Sequence, residues 1–469
     1  MKEFWRECPA LLIAVTLLIG TSGPIFWEWP WNFVLVGVWG IYLVFLRSWA
    51  FLCLLAVGWV YSSSVCVGLT GGDRVLFSIS SVQPYASPFY KGLMYKGTLY
   101  GEGGAAPVSV CYKGKIGNHP PANRDYIVTG QLIQRDRHDY LFKAKDWEPV
   151  AGTFSLAEMR YQMKERFRIY LGKHLSPRCA AFLGSVTTGD VEDRLLRYEF
   201  GRVGLQHLLA ISGFHFAILL GMCSFVCKRI FPGKGAVIFL LVVVNGYFLF
   251  VGSAPAVQRS WSVAQLYLLA DGLRRSSSSL NLLGCGCILE IVLDPRVAGN
   301  LGFQLSFLST SGILLLSPLI EKGLRYWLPK RSAEEIRELS VVEKVVYLIA
   351  ATLRRSLSLN FAVNLMILPL LLYHFHQFPW LSLLYNLFIP ALVGVGLFVL
   401  CVSFLVPVMF PVCDFFTCQI LDLVSNPPLA LDYSLRTNLI PGWAVPLYLL
   451  VLLLGAVALT RDKKLCYNI

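Results

Sequence analysis

The stretch Val203–Cys227, VGLQHLLAISGFHFAILLGMCSFVC, decides how the rest of the chain is read. As a helix it is long enough to cross a hydrocarbon core of roughly 30 Å, which takes about 20 residues. Yet it carries His207, His215, Gln206, Ser212 and Ser224, and polar groups are costly at that depth. At about 100° per residue, His207, Ser212 and His215 share one arc, while Gly213, Ala217 and Gly221 form a stripe of small residues on the other side. One reading is helix packing with cross-helix hydrogen bonds. The other is a helix that lines a polar pathway, and this segment alone leaves both open.

Composition sets the class. The 469 residues are 56% apolar and only 15% charged, with a mean hydropathy of +0.60, which excludes an ordinary soluble enzyme and indicates a polytopic α-helical membrane protein. The formal net charge of +13 raises nucleic acid as a partner, but cytoplasmic loops of membrane proteins also collect Lys and Arg. Three apolar segments open the chain, at about Pro9–Phe26, Asn32–Leu46 and Ser48–Leu69. Lys2 and Arg6 before the first place the N-terminus in the cytoplasm, and no cleavage site or lipidation motif follows. Nine further spans are expected, approximately Val203–Cys227, Ala236–Val251, Ala254–Ala270, Leu280–Leu293, Asn300–Ile320, Ser356–Tyr373, Trp380–Val406, Val412–Leu429 and Trp443–Leu459. With about 12 spans both termini are cytoplasmic, and Ser332–Arg355 is expected as an interfacial helix.

Between Gly72 and Val150 the pattern changes to short β-favouring runs, RVLFSISSV, YKGTLYG, APVSVCYKG, DYIVTGQLIQRD and HDYLFKAKDWEPV. Five strands in so short a segment predict a small extracytoplasmic β-barrel of OB-like type. Between Asp73 and Asp146 ten Lys or Arg stand against six Asp or Glu, interleaved with aromatic rings. Cations neutralise phosphates and rings stack on bases, so Lys113, Lys115, Arg135, Arg137, Tyr140 and Lys143 are candidate DNA contacts. A solvated β domain with its rings in the core is the competing reading. Phe154–His174 follows as a basic amphipathic stretch, with Arg160, Lys164, Arg166, Arg168 and Lys173 facing lipid headgroups or DNA. The chain is thus divided into N-terminal transmembrane helices (1–71), the β domain (72–152), amphipathic connecting helices (153–200) and a transmembrane domain (201–469).

Three more places put polar groups at membrane depth. Arg259 lies more than a turn inside its span, either snorkelling to headgroups or offered to a polyanion. Gln304 and Ser306 open GFQLSFLSTSG, a run of hydroxyl and amide groups. In YNLFIPA, Asn386 stands four residues before Pro390, whose ring leaves that carbonyl without its helical donor, so a kink is expected there. Most of the thirteen cysteines lie in apolar segments; Cys66, Cys111 and Cys179 fall in the extracytoplasmic part, where a disulfide would be permitted but its pair is not fixed.

HLLAISGFHFAILLG at His207–Gly221, SAPAVQRS at Ser253–Ser260, DPRVAGNLGFQLSFLSTSGILLL at Asp294–Leu316 and LPLLLYHFHQFPWLSLLYNLFIPALV at Leu368–Val393 resemble, in order, the signatures of the ComEC competence family. That resemblance implies an inner-membrane channel through which single-stranded DNA enters during natural transformation. It also implies an external OB-like domain, a cytosolic ATP-driven translocase, a periplasmic or surface DNA receptor and, with possible homo-oligomers, lipid contacts. His207, Ser212, His215, Arg259, Gln304, Ser306 and Asn386 are the candidate lining groups, and Gly213, Gly221 and Pro390 the packing and kink positions. Many relatives continue into a metallo-β-lactamase-like nuclease domain, whereas this sequence has no HxHxDH motif and no GxxxxGK[ST] phosphate loop. No catalytic residue, metal or cofactor is expected, and a nuclease is expected to act in trans. His374 and His376 lack the further ligands of a metal site. A secondary transporter of a small anionic metabolite and an envelope assembly scaffold are the rival readings.

Overall fold

The computed structural model describes residues 2–26, 31–65, 74–86, 91–101, 104–112, 123–136, 139–230, 234–273, 278–428, 433–438 and 440–459. Four helices open the chain, α1 (Lys2–Glu7), α2 (Pro9–Ile25), α3 (Trp31–Phe45) and α4 (Ala50–Val65). Strands β1 (Arg74–Ala86), β2 (Lys91–Gly101), β3 (Gly104–Tyr112), β4 (Asp125–Asp136) and β5 (Asp139–Pro149) follow. Next come α5 (Leu156–His174), α6 (Pro177–Thr188), α7 (Arg194–Arg202), α8 (Gln206–Leu209), α9 (Gly213–Ile230), α10 (Lys234–Val251), α11 (Pro255–Gly272) and α12 (Ser279–Leu293). The remainder holds α13 (Leu301–Leu315), α14 (Ser317–Leu324), α15 (Ala333–Glu338), α16 (Val341–Phe375), β6 (Gln377–Pro379), α17 (Leu381–Tyr385), α18 (Ile389–Leu405), α19 (Phe410–Ser425), β7 (Ser434–Arg436) and α20 (Ala444–Leu459). These elements form two compact units. One comprises 1–61, 262–392 and 427–469, the other 62–261 and 393–426, so the units cut across the division expected from sequence.

In the second unit β1 to β5 close into a barrel in the order β1-β2-β3-β5-β4, with β3 and β5 parallel and the other pairs antiparallel. Period-2 alternation builds its core, because Val75, Phe77 and Ile79, then Leu93, Tyr95 and Leu99, then Val108 and Val110, Val128, and Tyr140 and Phe142 all turn inward and are buried. Closure bends the sheet sharply at Gly97 and Gly130. A Cβ there would sit 2.1 Å from the Ser78 and Lys143 carbonyl oxygens respectively, so only glycine allows the strands to approach. Helix α5 covers the barrel with Ala157 and Tyr161. Its cations are largely committed to protein partners: Arg160 Nε donates to the Leu249 carbonyl at 2.7 Å, Lys164 Nζ to Asp190 at 3.0 Å, and Arg168 Nη2 to the same carboxylate at 3.2 Å. The Lys164 and Asp190 side chains are only 5% and 4% exposed, so losing Asp190 would strand a buried cation at a cost of about 3–5 kcal/mol. The expected basic face therefore contracts to Arg166 and Lys173, which remain exposed.

The first unit packs α2 against α12. A Cβ on Gly284 would lie 2.5 Å from the α2 backbone, and Asn281 ties α12 to α2 by accepting from the Ala10 amide at 3.1 Å and to the end of α1 by donating to the Glu7 carbonyl at 2.8 Å. Trp39 on α3 is fully buried and donates to Thr16 at 3.2 Å. Strands β6 and β7 pair, joining the connections before α17 and before α20.

The expected count of about twelve spans is not supported. Among the described residues, three helices are long and apolar enough to cross a membrane, Lys234–Val251, Val341–Phe375 and Pro407–Ser425; α13 and α14, bent by 43°, make a fourth if counted together. Seven further apolar helices have 10–17 residues. Two physical causes stand out. Expected spans are broken, as at Ala210 and before Pro390, and the alternation of sides fails at α19. That alternation placed Ser176 outside and Asp414 at the inner face, whereas the Ser176 amide and hydroxyl both donate to Asp414 at 2.8 Å and so share its side. The expected interfacial helix is also not separate: residues 341–355 continue into the next span as one helix of 35 residues, about 52 Å long. The Ser340–Glu343 capping box starts it.

Candidate functional site

Helix α8 ends at Leu209, Ala210 is extended at φ −87° and ψ 138°, and α9 begins only at Gly213. The opening stretch is therefore a broken helix, with no proline at the break. The free amides at the start of α9 are handled locally. The Ser212 carbonyl accepts from the His215 amide at 3.1 Å, and the Ser212 amide donates to His215 Nδ1 at 3.1 Å. A backbone N–H is an obligatory donor, so Nδ1 is the acceptor and the ring proton resides on Nε2. His215 is 4% exposed, and its Nε2 is buried with no hydrogen-bond partner among the described residues. A donor is thus held at the positive end of α9, whose macrodipole favours an anionic group.

Arg259 adds a cation to this place. It is 9% exposed, so it does not reach out to headgroups but stays within its unit. A Cβ on Gly213 would lie 3.3 Å from its Nη2 and 3.5 Å from Ser260 Oγ, so glycine lets the guanidinium approach the first turn of α9. Gly213 therefore faces a side chain of α11 rather than a helix backbone, and Gly221 meets nothing within 4 Å. His207 is exposed on α8. Nearby, Trp261 Nε1 donates to Asn245 at 3.1 Å, a polar tie between α10 and α11.

The first unit carries a second break. Helix α17 ends at Tyr385, residues 386–388 form a turn, and Pro390 stands in the first turn of α18. Here the polarity is reversed. Asn386 Oδ1 and Ser382 Oγ are buried and without partners among the described residues, while Asn360 Nδ2 donates to the Leu383 carbonyl at 2.5 Å and Asn364 Nδ2 to Asn360 Oδ1 at 2.6 Å. Asn360 and Asn364 went unnoticed in the sequence, although two amides four residues apart in an apolar run are a readable signal. Gln304 Nε2 donates to the Ala298 carbonyl at 2.8 Å and closes the corner before α13. The Ser306 carbonyl accepts from Ser309 and Thr310 hydroxyls at 3.0 and 2.9 Å.

In the barrel Tyr140 is 5% exposed, a core ring that cannot stack on a base without unfolding its strand, which corrects the expectation of a contact there. Lys143, on the opposite face of β5, is exposed. Lys113, Lys115 and Arg137 lie outside the described residues, as does the Arg135 side chain; Cys66 and the Cys111 side chain do too. Cys179 lies instead against Cys418, with the sulfurs 2.8 Å apart.

ComE operon protein 3 of Bacillus subtilis (strain 168) is 28% identical over 217 residues, 45% of this chain but only 24% of that protein. No solved structure matches. The family model described as "Competence protein" matches residues 190–462, more than half of the chain and the whole of both helix breaks, and the chain therefore belongs to the competence protein family.

Proposed function

We propose that this chain is an inner-membrane channel that passes single-stranded DNA inward during natural transformation. The observation that carries the proposal is the break before α9, where the Arg259 charge, the α9 N-terminus and a His215 Nε2–H with no partner among the described residues bring positive potential and a donor together. A phosphodiester backbone is a repeating anion with only acceptor oxygens, and such a place suits it. Contacts of this kind carry no sequence information, so passage is sequence-independent and weakened by salt. The acceptors of the second break suit the amino and imino donors of unpaired bases. Membrane spans carry the strand past the bilayer, the N-terminus is cytoplasmic, and the barrel, of OB-like strand order, meets DNA outside through Lys143 and neighbouring cations. The chain itself supplies no nuclease or ATPase; a cytosolic translocase, a surface receptor and a separate nuclease act with it.

The test is to supply labelled double-stranded DNA to cells lacking the chain and to cells given back the natural form or Arg259→Ala. The natural form restores arrival in the cytosol, and Arg259→Ala leaves label stalled outside the inner membrane. Unchanged arrival in cells lacking the chain contradicts the proposal. One observation favours a second reading, transport of a small anion, because a single guanidinium at a single helix N-terminus matches one carboxylate or phosphate. In that case short organic anions, and not oligonucleotides, would protect the purified chain against heat.

A further inference from the structure

Helices α6 and α19 meet in the second unit through a group that the DNA pathway does not use. Ser176, the residue before α6, directs both its amide and its hydroxyl to Asp414 Oδ1 at 2.8 Å each, which fixes the carboxylate. Asp414 and Cys418 are four residues apart and lie on one face of α19. One turn into α6, Cys179 is fully buried, its Sγ 2.8 Å from Cys418 Sγ and 3.6 Å from the Asp414 carbonyl oxygen. Ser176 Oγ stands 3.7 Å from Cys418 Sγ. A carboxylate oxygen and two sulfurs, from two helices about 240 residues apart in sequence, thus lie within 4.8 Å of one another. The adjacent cation, Arg178, is turned to Glu199 at 2.9 Å and to Asp422 at 3.5 Å.

Two sulfurs and one oxygen are a donor set for a soft, tetrahedral divalent ion, with metal–sulfur distances of about 2.3 Å and metal–oxygen distances of about 2.0–2.2 Å. We propose that Cys179, Asp414 and Cys418 hold a divalent cation of the zinc class, which clasps the connecting helix α6 onto α19. On binding, each thiol gives up its proton to solvent, and the sulfurs part to the roughly 3.7 Å edge of a tetrahedron around a 2.3 Å bond. The carboxylate is already oriented by Ser176, and the fourth position is left to water or the Ser176 hydroxyl. Sequence spacing gives no hint of such a site, because the ligands are not paired as CxxC and meet only through the fold.

The test uses the full chain purified in detergent without chelators. Its zinc content should be about one per chain, as for a single closed site, falling severalfold in Cys179→Ser and in Cys418→Ser. Because those variants could fold poorly, the natural chain is also stripped with chelator and labelled with a thiol reagent. Added zinc should slow labelling of Cys179 and Cys418 at least fivefold while exposed Cys53 is unaffected, and cobalt in its place should give sulfur-to-metal charge-transfer absorption. Two results overturn the proposal: a chain that holds no metal and labels at the same rate with or without zinc, and a non-reducing peptide map that joins Cys179 to Cys418 by a disulfide.

Discussion

The two broken helices use one backbone device to opposite effect. Before α9 the chain presents donors and a cation: the His215 Nε2–H, the first turn of α9 and the Arg259 guanidinium beside Gly213. Before α18 it presents the Asn386 Oδ1, an acceptor, and the Ser382 hydroxyl, both without partners among the described residues. Ending a helix inside an apolar segment exposes either amides or carbonyls, depending on which end is opened. At the second break the carbonyls of Ser382, Leu383, Leu384 and Tyr385 are all taken, and the difference between the breaks comes from side chains. Under the proposed function, the donors of the first break suit the acceptor oxygens of a nucleic-acid backbone, and the Asn386 Oδ1 of the second suits the donors of base edges.

The comparison breaks most readily at Arg259. Hydrogen bonds to a charged group are worth about 1.5–3 kcal/mol, so Arg259→Ala should lower DNA uptake by about tenfold to a hundredfold, with Arg259→Lys intermediate because an ammonium lacks the fork. Chain abundance in the membrane, read by immunoblot, should not change; equal loss of abundance would make the residue structural. Gly213→Val comes next, since its Cβ would press within 3.3 Å of Nη2 and its γ-methyls closer still, and uptake should fall about tenfold. Normal uptake by that variant would show that the guanidinium need not sit against α9.

At the acceptor break the expected sign differs. Replacing a side chain whose buried oxygen has no partner among the described residues by an apolar one is nearly neutral or stabilising, so Asn386→Leu should melt in detergent at the same temperature or slightly above, a gain of up to about 1 kcal/mol, while uptake drops severalfold. A destabilisation beyond about 2 kcal/mol would reveal an amide that the fold already satisfies. The smallest effect concerns the start of α16, outside both breaks. The Ser340 amide and hydroxyl, both 2.8 Å from Glu343 Oε2, hold its carboxyl below the ordinary value of 4.5. A lowered folded value means that this stabilisation is fully present above pH 4.5 and is lost as pH falls through the folded value. Amide exchange at residues 341–344, corrected for intrinsic rates, should quicken as pH falls below 4.5, and Glu343→Gln should abolish that pH dependence.

How much of this was legible differs by element. The five strands were readable, because period-2 alternation and turn residues are local signals. The same parity could have placed Tyr140 correctly, since it stands two residues from Phe142 and both face inward, while Lys143 faces out. Near Pro390 the sequence pointed to a kink within one span, whereas the structure has α17 end at Tyr385 and Pro390 stand second in a new helix. The break at Ala210 was not readable, because the apolar run Leu208–Ile211 carries on through it and only the backbone conformation of Ala210 reveals it. Span counting failed for a related reason: hydropathy registers apolar length, whereas Ser176 meets Asp414 through contacts 238 residues apart. Charges on α5 misled in the same way, because Asp190 lies beyond the helix that supplies Lys164 and Arg168.

The central claim is that an incoming strand passes the start of α9. Donor DNA carrying a photoreactive thiothymidine, irradiated during uptake by cells with the natural chain, tests it without altering the protein. The account predicts a cross-linked peptide containing Ser212–His215, lost when salt or unlabelled DNA blocks uptake. Active uptake with cross-links confined to other segments of the chain, or with none in it, would contradict the account.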